Sequence, residues 1–320
     1  MQITVLAGGV GAARFLRGVL AAVPPNTVTA VVNTGDDTEL HGLAISPDLD
    51  TITYTLAGAI DPDRGWGLAG ETWHAMEALQ RYVPVRPHGS TAAPTWFNLG
   101  DRDLATHFYR TARLAEGATL TEVTAEIIHA WGLELGVVPM SDDRFRTVVT
   151  LADTGERLAF QDYFVRLRHD VAISAVDFEH DGARLTGVAR AAIERADTIL
   201  IAPSNPLVSI GPIRALPDVD ELLAGNRGRT VAVSPIVGGA ALKGPADRML
   251  RELDLDPSVV GVARLYQPIA ATLVIDPADA HLAADVEAAG MRCLVEPSIM
   301  SDIDRARMLA EACIGAADGH

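Results

Sequence analysis

A chain of 320 residues with 48% hydrophobic content is long enough for one large or two moderate domains around a sizeable core, which excludes a disordered or miniature scaffold. Its 42 Asp and Glu against 26 Lys and Arg leave a net charge of −16, so a groove for a nucleic-acid polymer would work against the field of the whole molecule; a free nucleotide, held by local amides and one cation, stays open. Cys293 and Cys313 are too few and too isolated for a metal cage or disulfide framework, and with no leader-like start and no apolar stretch of about twenty residues the expected location is the cytoplasm, with no membrane partner.

The first fifteen residues read as a buried strand, a glycine turn and a helix. Ile3, Val5 and Leu6 supply strand character, and Phe15, Leu16, Val19 and Leu20 fall on one helical stripe. Between them, Gly8, Gly9 and Gly11 carry no side chains to keep an anion from the amides of the first helical turn, whose dipole favours negative charge. Gly8-Gly9-Val10-Gly11 is neither the dinucleotide fingerprint nor the Walker loop, so the motif predicts a phosphate without naming its owner.

A second strand, Thr29–Asn33, leads into Asp36 and Asp37, and Asp48 and Asp50 follow within fifteen residues. A right-handed crossover brings both strand ends to one edge of a parallel sheet, so these acids arrive beside the glycine turn. Carboxylates repel a phosphate unless a cation lies between them, and a hard, oxygen-bound divalent ion, magnesium, resolves the conflict. Capping would account for Asp36 and Asp37 alone; four acids in one short loop exceed it.

Residues 61–169 read as an insertion, mixed and largely helical, between core segments 1–60 and 170–320. It holds a helix near Thr121 to Trp131, capped by Thr119 or Thr121, and loops rich in Trp66, Trp73, Trp96, Phe97 and the crowded Asp101-Arg102-Asp103. Those aromatics suit a flat ring, although such residues more often pack in a core. The last third carries strands at Thr198–Ala202, Thr230–Val233, Ala271–Ile275 and Arg292–Val295, with helices predicted at Gly182–Arg195, Ile213–Ala224, Pro245–Leu253 and Asp279–Ala289. The repeated βα pattern predicts a doubly wound, mostly parallel α/β sheet of Rossmann type, with Ser204, Asn205, Ser209, Gly211 and Ser234 on the glycine-turn side.

Seven blocks in order, Val5 to Phe15, Asn33 to Asp37, Ser46 to Thr51, Leu99 to His107, Pro139 to Asp143, Ala202 to Pro206 and Val233 to Ile236, carry a resemblance to the 2-phospho-L-lactate transferase family in its actinobacterial phosphoenolpyruvate transferase form. The resemblance implies a step of coenzyme F-420 biosynthesis. A guanosine diphosphate carrying enolpyruvate or lactate passes its substituted phosphate to the ribityl hydroxyl of 7,8-didemethyl-8-hydroxy-5-deazariboflavin, with magnesium as cofactor and GMP released. In that reaction Gly8, Gly9, Val10, Gly11, Ser204, Asn205 and Ser234 are assigned to the nucleotide, Asp37 and Asp50 to magnesium and catalysis, and Arg102 to a supporting network. By resemblance Asp50 and Asn98 contact the deazaflavin, which leaves Asp50 either a metal ligand or an acceptor from the attacking hydroxyl. The family also implies a homodimer, for which the apolar stretch Ala306–Ile314 offers a contact. Two rivals stay open. A non-catalytic nucleotide-sugar-binding regulator of the gluconeogenesis-factor type shares the glycine loop and Asp-Asp pair, but its relatives follow that pair with a Gly-Ser-rich run where this chain has Thr38-Glu-Leu-His-Gly42. A nicotinamide-dependent dehydrogenase lacks support because the third fingerprint glycine is missing.

Overall fold

The computed structural model describes residues 1–318. Seven strands, β1 (Ile3–Ala7), β2 (Val28–Val32), β3 (Gly136–Pro139), β4 (Thr198–Ile201), β5 (Thr230–Val233), β6 (Thr272–Ile275) and β7 (Arg292–Val295), form one sheet in the order β3-β2-β1-β4-β5-β6-β7. All six pairings are parallel. The strands are short apolar runs because helices cover both faces, and alternate residues divide between two cores. Leu6, Val31, Ile199 and Ala232 face one core; Val5, Val32, Leu200 and Val231 face the other.

Winding reverses between β1 and β4, which places the turns after these two strands side by side at the carboxyl edge of the sheet. The helix Gly9–Ala22 leaves β1 and packs against the C-terminal helix Ile303–Asp318. There a Cβ on Gly18 would stand 2.2 Å from the Ala306 carbonyl oxygen, so only glycine admits so close an approach. The stretch Ala306–Ile314, expected to offer a contact between copies, buries Ala306, Leu309, Ala310, Cys313 and Ile314 in this chain's own core and leaves Met308 exposed.

The insertion, mixed and largely helical as expected, is less separate than its composition suggests. Gly136–Pro139, inside the predicted insertion, is an edge strand of the central sheet. Phe145–Leu151, Arg157–Ala159 and Ile173–His180 form a second, antiparallel sheet. The helix Leu120–Ala130 forms where expected, closed by a capping box between Thr119 and Glu122. The helix predicted at Ile213–Ala224 is two pieces, Gly211–Ala215 and Val219–Gly225, because Pro217 holds Leu216 extended. No helix among the described residues is long and apolar enough to cross a membrane.

Candidate active site

The glycine turn is shaped by contact as well as by dihedral angle. Gly9 opens the first helix at φ +73°, in the left-handed region, and a Cβ on Gly11 would meet the Pro203 carbonyl oxygen at 2.4 Å. The turn after β4 is thus pressed onto the turn after β1, and Ser204 Oγ fastens them by donating to the Gly8 carbonyl at 2.8 Å. Asn205 and Ser234 act mainly on their own loops. Asn205 Oδ1 accepts from the Leu207 amide at 2.9 Å, and Ser234 Oγ accepts from the Ile236 amide at 3.1 Å.

Three of the four early aspartates crowd the same edge. Asn33, the residue after β2, donates through one amide nitrogen to Asp36 Oδ1 at 2.8 Å and Asp48 Oδ2 at 3.0 Å, and Gln161 donates to Asp36 Oδ2 at 3.0 Å. Asp48 also sits against the Gly9 amide, so the positive end of the first helix meets a carboxylate. Burial, then the charges of Asp48 and Asp37, pushes Asp36 well above the usual carboxylate range. Burial likewise pushes Asp48 up to about 6, against the Asn33 and Gly9 hydrogen bonds. Asp37 lies behind the cavity wall, raised chiefly by burial, accepting from Ser46 Oγ at 2.7 Å and keeping Oδ1 buried without a partner.

Asp50 is held from an unexpected direction. It rides in the first turn of the helix Pro47–Leu56, and Arg110 forks over it, with Nη1 to Oδ2 at 3.1 Å and Nη2 to Oδ1. His107 Nδ1 lies 3.7 Å from Asp50 Oδ2, while its Nε2 lies 3.3 Å from Asp103 Oδ2. Tyr54 completes the group by donating to Asp103 Oδ1 at 2.6 Å. His107 and Arg110 come from the helix Asp103–Ala115, whose first residues, as far as His107, read in the sequence as part of a charged loop. Both are about 1% exposed, so the buried side chains of this helix are a histidine and an arginine where an apolar stripe would be looked for.

Beyond the acids the wall turns aromatic. Arg64, tied to Asp61 Oδ2 at 3.0 Å and the Leu68 carbonyl at 2.9 Å, lies 5.4 and 5.3 Å from the ring centres of Trp66 and Trp73. Trp66, Phe97 and Asn98 face the cavity from this side; Phe160 and Phe164, stacked at 5.4 Å, face it from another. Arg102 has a different task from the one expected. Its guanidinium donates to the Ala69 carbonyl at 2.7 Å and its amide to Glu71 at 2.9 Å, stapling two loops outside the cavity wall.

One cavity of about 780 Å³ joins these parts. Gly8, Gly9, Val10, Gly11, Ser204, Asn205, Ser234, Asp50 and Asn98 all line it, whereas Asp37 does not. Asp36 and Asp48, expected beside the glycine turn, and Asp103 of the crowded Asp101-Arg102-Asp103 run line it too, joined by Tyr54, His107, Gln161 and Lys243, to which the sequence gives no role. Among the described residues no three His, Cys, Asp or Glu side chains converge as a ready metal cage. Magnesium keeps water and substrate phosphate in its shell and asks the protein for one or two carboxylates, so the wall that carries Asp36, Asp48 and Asp50 fits it, while Asp37, expected as a ligand, stands behind that wall.

The sequence matches the family model described as 2-phospho-L-lactate transferase CofD over residues 3–307. A phosphoenolpyruvate transferase of Kitasatospora aureofaciens is 42% identical across 99% of this chain and 98% of its own length. Proteins of the same name from Mycobacterium avium and Thermobifida fusca are 41% and 40% identical, covering 94% and 99% of this chain and 94% and 98% of their own. A solved structure from the UPF0052 family of Bacillus halodurans superposes with a TM-score of 0.62 over 98% of each chain at 15% identity, a likeness of fold. With the match spanning nearly its whole length, the chain belongs to the 2-phospho-L-lactate transferase family.

Proposed function

We propose that this protein moves a phosphoenolpyruvyl or 2-phospho-L-lactyl group from a guanosine diphosphate donor to the ribityl hydroxyl of 7,8-didemethyl-8-hydroxy-5-deazariboflavin, releasing GMP. The observation that carries this reading is the single cavity that runs from the glycine turn, past the aspartates, to the aromatic loops. An anionic nucleotide and a flat tricyclic acceptor have opposite needs, and the two ends of one cavity meet them separately. The names of the relatives from Kitasatospora and Mycobacterium support the enolpyruvyl form of the donor.

The amides of Gly8 to Gly11 seat the diphosphate, with Ser204 holding the adjoining turn in place. Transfer of a phosphoryl group depends chiefly on positioning and on neutralising negative charge, so the crowded acids need a counter-ion. Asp50, on the cavity side, would hold magnesium, with Asp36 and Asp48 next to it on the wall and Asp37 adding its charge from behind. When bound, the ion supplies the positive charge that lets phosphate and carboxylates share this edge. Arg110 fixes the plane of the Asp50 carboxylate from below, leaving it aimed to receive a hydrogen bond from the attacking hydroxyl. Trp66 and Phe97 offer faces to the ring, and Asn98 an amide to its polar edge.

The test follows the acceptor's own fluorescence. Titrating the purified protein with the deazaflavin should quench or shift that signal, and adding guanylated phosphoenolpyruvate should release GMP only with magnesium present. Binding of the deazaflavin without GMP release from either guanylated donor would refute the transferase reading.

A further inference from the structure

Residue 243 is the only lysine in the chain, against 25 arginines. Arginine serves every other basic position, including exposed helical ones where either residue would do. The one place that keeps a compact ammonium on a flexible stem is the wall of this cavity. Lys243 follows a short hairpin, Ile236–Val237 with Ala240–Ala241, that leaves the Ser234 loop. Gly238 anchors the hairpin by donating to Asp279 Oδ2 at 2.8 Å, and the Ala241 amide donates to Asp247 at 3.3 Å. Beyond these anchors the lysine is exposed and reaches across, its Nζ 3.2 Å from where a Cβ on Gly65 would stand, beside Arg64 and Trp66. It therefore spans from the nucleotide end to the aromatic end.

Charge decides what it meets there. The carboxylates lining the cavity are Asp36, Asp48, Asp50 and Asp103. Of the cations, Arg64 is committed to Asp61 and two indoles, and Arg14 projects from the first helix one turn beyond the glycines, next to the diphosphate seat. Lys243 pairs with no carboxylate among the described residues. We propose that Lys243 is the subsite for the carboxylate of the three-carbon acid at the end of the donor, the one anionic group that the glycine amides and magnesium leave uncompensated. This rests on the transferase reading and assigns a binding residue to it.

A single lysine makes the test direct. Reductive methylation with 13C-formaldehyde labels only Lys243 and the N-terminal amine, retains the charge, and gives one side-chain dimethylammonium NMR signal. That signal should move on adding guanylated phosphoenolpyruvate and stay in place with GMP. In kinetics, Lys243→Met should raise KM for the guanylated donor by about ten- to a hundredfold, the usual worth of a charged hydrogen bond, with deazaflavin affinity within about twofold. Lys243→Arg should recover part of the loss. A signal that responds equally to GMP, or a Lys243→Met enzyme matching wild type, would overturn the assignment while the transferase reading stood. A wild-type enzyme that releases no GMP from either donor would instead remove the reading on which it rests.

Discussion

The two ends of the cavity are built by different means. The nucleotide end hangs on the edges of β1, β2 and β4, whose registers are set by parallel pairing, and its turns touch backbone to backbone, as Gly11 and Pro203 do. At the aromatic end, loops are held by polar staples: Arg64 to Asp61, Arg102 to Ala69 and Glu71, and Asp101 to Thr72 and the amides of His74 and Ala75. The first kind of site is rigid because sheet topology leaves it no alternative; the second depends on many contacts, each worth only about a kilocalorie. Substitutions at the two ends should therefore fail differently, and the residues between them should fail most.

Asp50→Asn carries the largest expected effect. If Asp50 meets the attacking hydroxyl as proposed, loss of its carboxylate should lower kcat by about 10²- to 10⁴-fold. It also leaves Arg110 buried opposite a neutral amide, so the melting temperature should fall while near-ultraviolet dichroism keeps its native shape. Near-normal turnover would remove Asp50 from the chemistry and transfer its role to the Asp36 and Asp48 side.

Gly11→Ala probes the rigid end. The added methyl meets the Pro203 carbonyl oxygen at 2.4 Å, where backbone on both sides must shift, at a cost of about 1–3 kcal/mol. Guanosine nucleotide affinity should fall about tenfold by calorimetry, with deazaflavin binding unchanged. Equal loss for both ligands would show that the two ends are one mechanical unit.

Trp66→Ala probes the stapled end and should do the converse. Removing an exposed indole that faces the cavity should weaken deazaflavin binding by a few-fold to about tenfold, the scale of one aromatic stack, and leave GMP affinity intact. Fluorescence titration of the acceptor measures it directly.

The same contrast explains what the sequence disclosed. Strands β4 to β7 and the glycine turn are local signals, apolar runs closed by Gly or Pro, and they lie within a residue of expectation. Asp50 was visible as an acid, but not its partner, since Arg110 stands sixty positions away on a helix whose buried residues are a histidine and an arginine. Gln161, which meets Asp36 from 125 positions away, and Lys243, just past a hairpin of two-residue strands, give no periodic trace at all. In the charged cluster Asp101-Arg102-Asp103 the first two residues staple loops and the third faces the cavity, a division that spacing cannot reveal.

The smallest effect concerns stability at the rigid end. Asp48 titrates near 6 in the folded chain because burial opposes its charge, whereas an unfolded chain ionises it near its ordinary value of about 4. A carboxyl raised in this way contributes stability that is full below about pH 4 and is lost as pH rises through about 6. Asp48→Asn should therefore make the protein, stripped of divalent ions with EDTA, more stable at pH 8 by on the order of 1–2 kcal/mol. At pH 4 it should differ little from wild type. Magnesium with GDP should narrow the gap at pH 8, because a cation at this edge stabilises wild type and has less charge to meet in the variant. A variant less stable than wild type at pH 8 without metal would mean that the Asn33 and Gly9 contacts outweigh the cost of burying the charge, and that the acidic edge is a structural brace before it is a site.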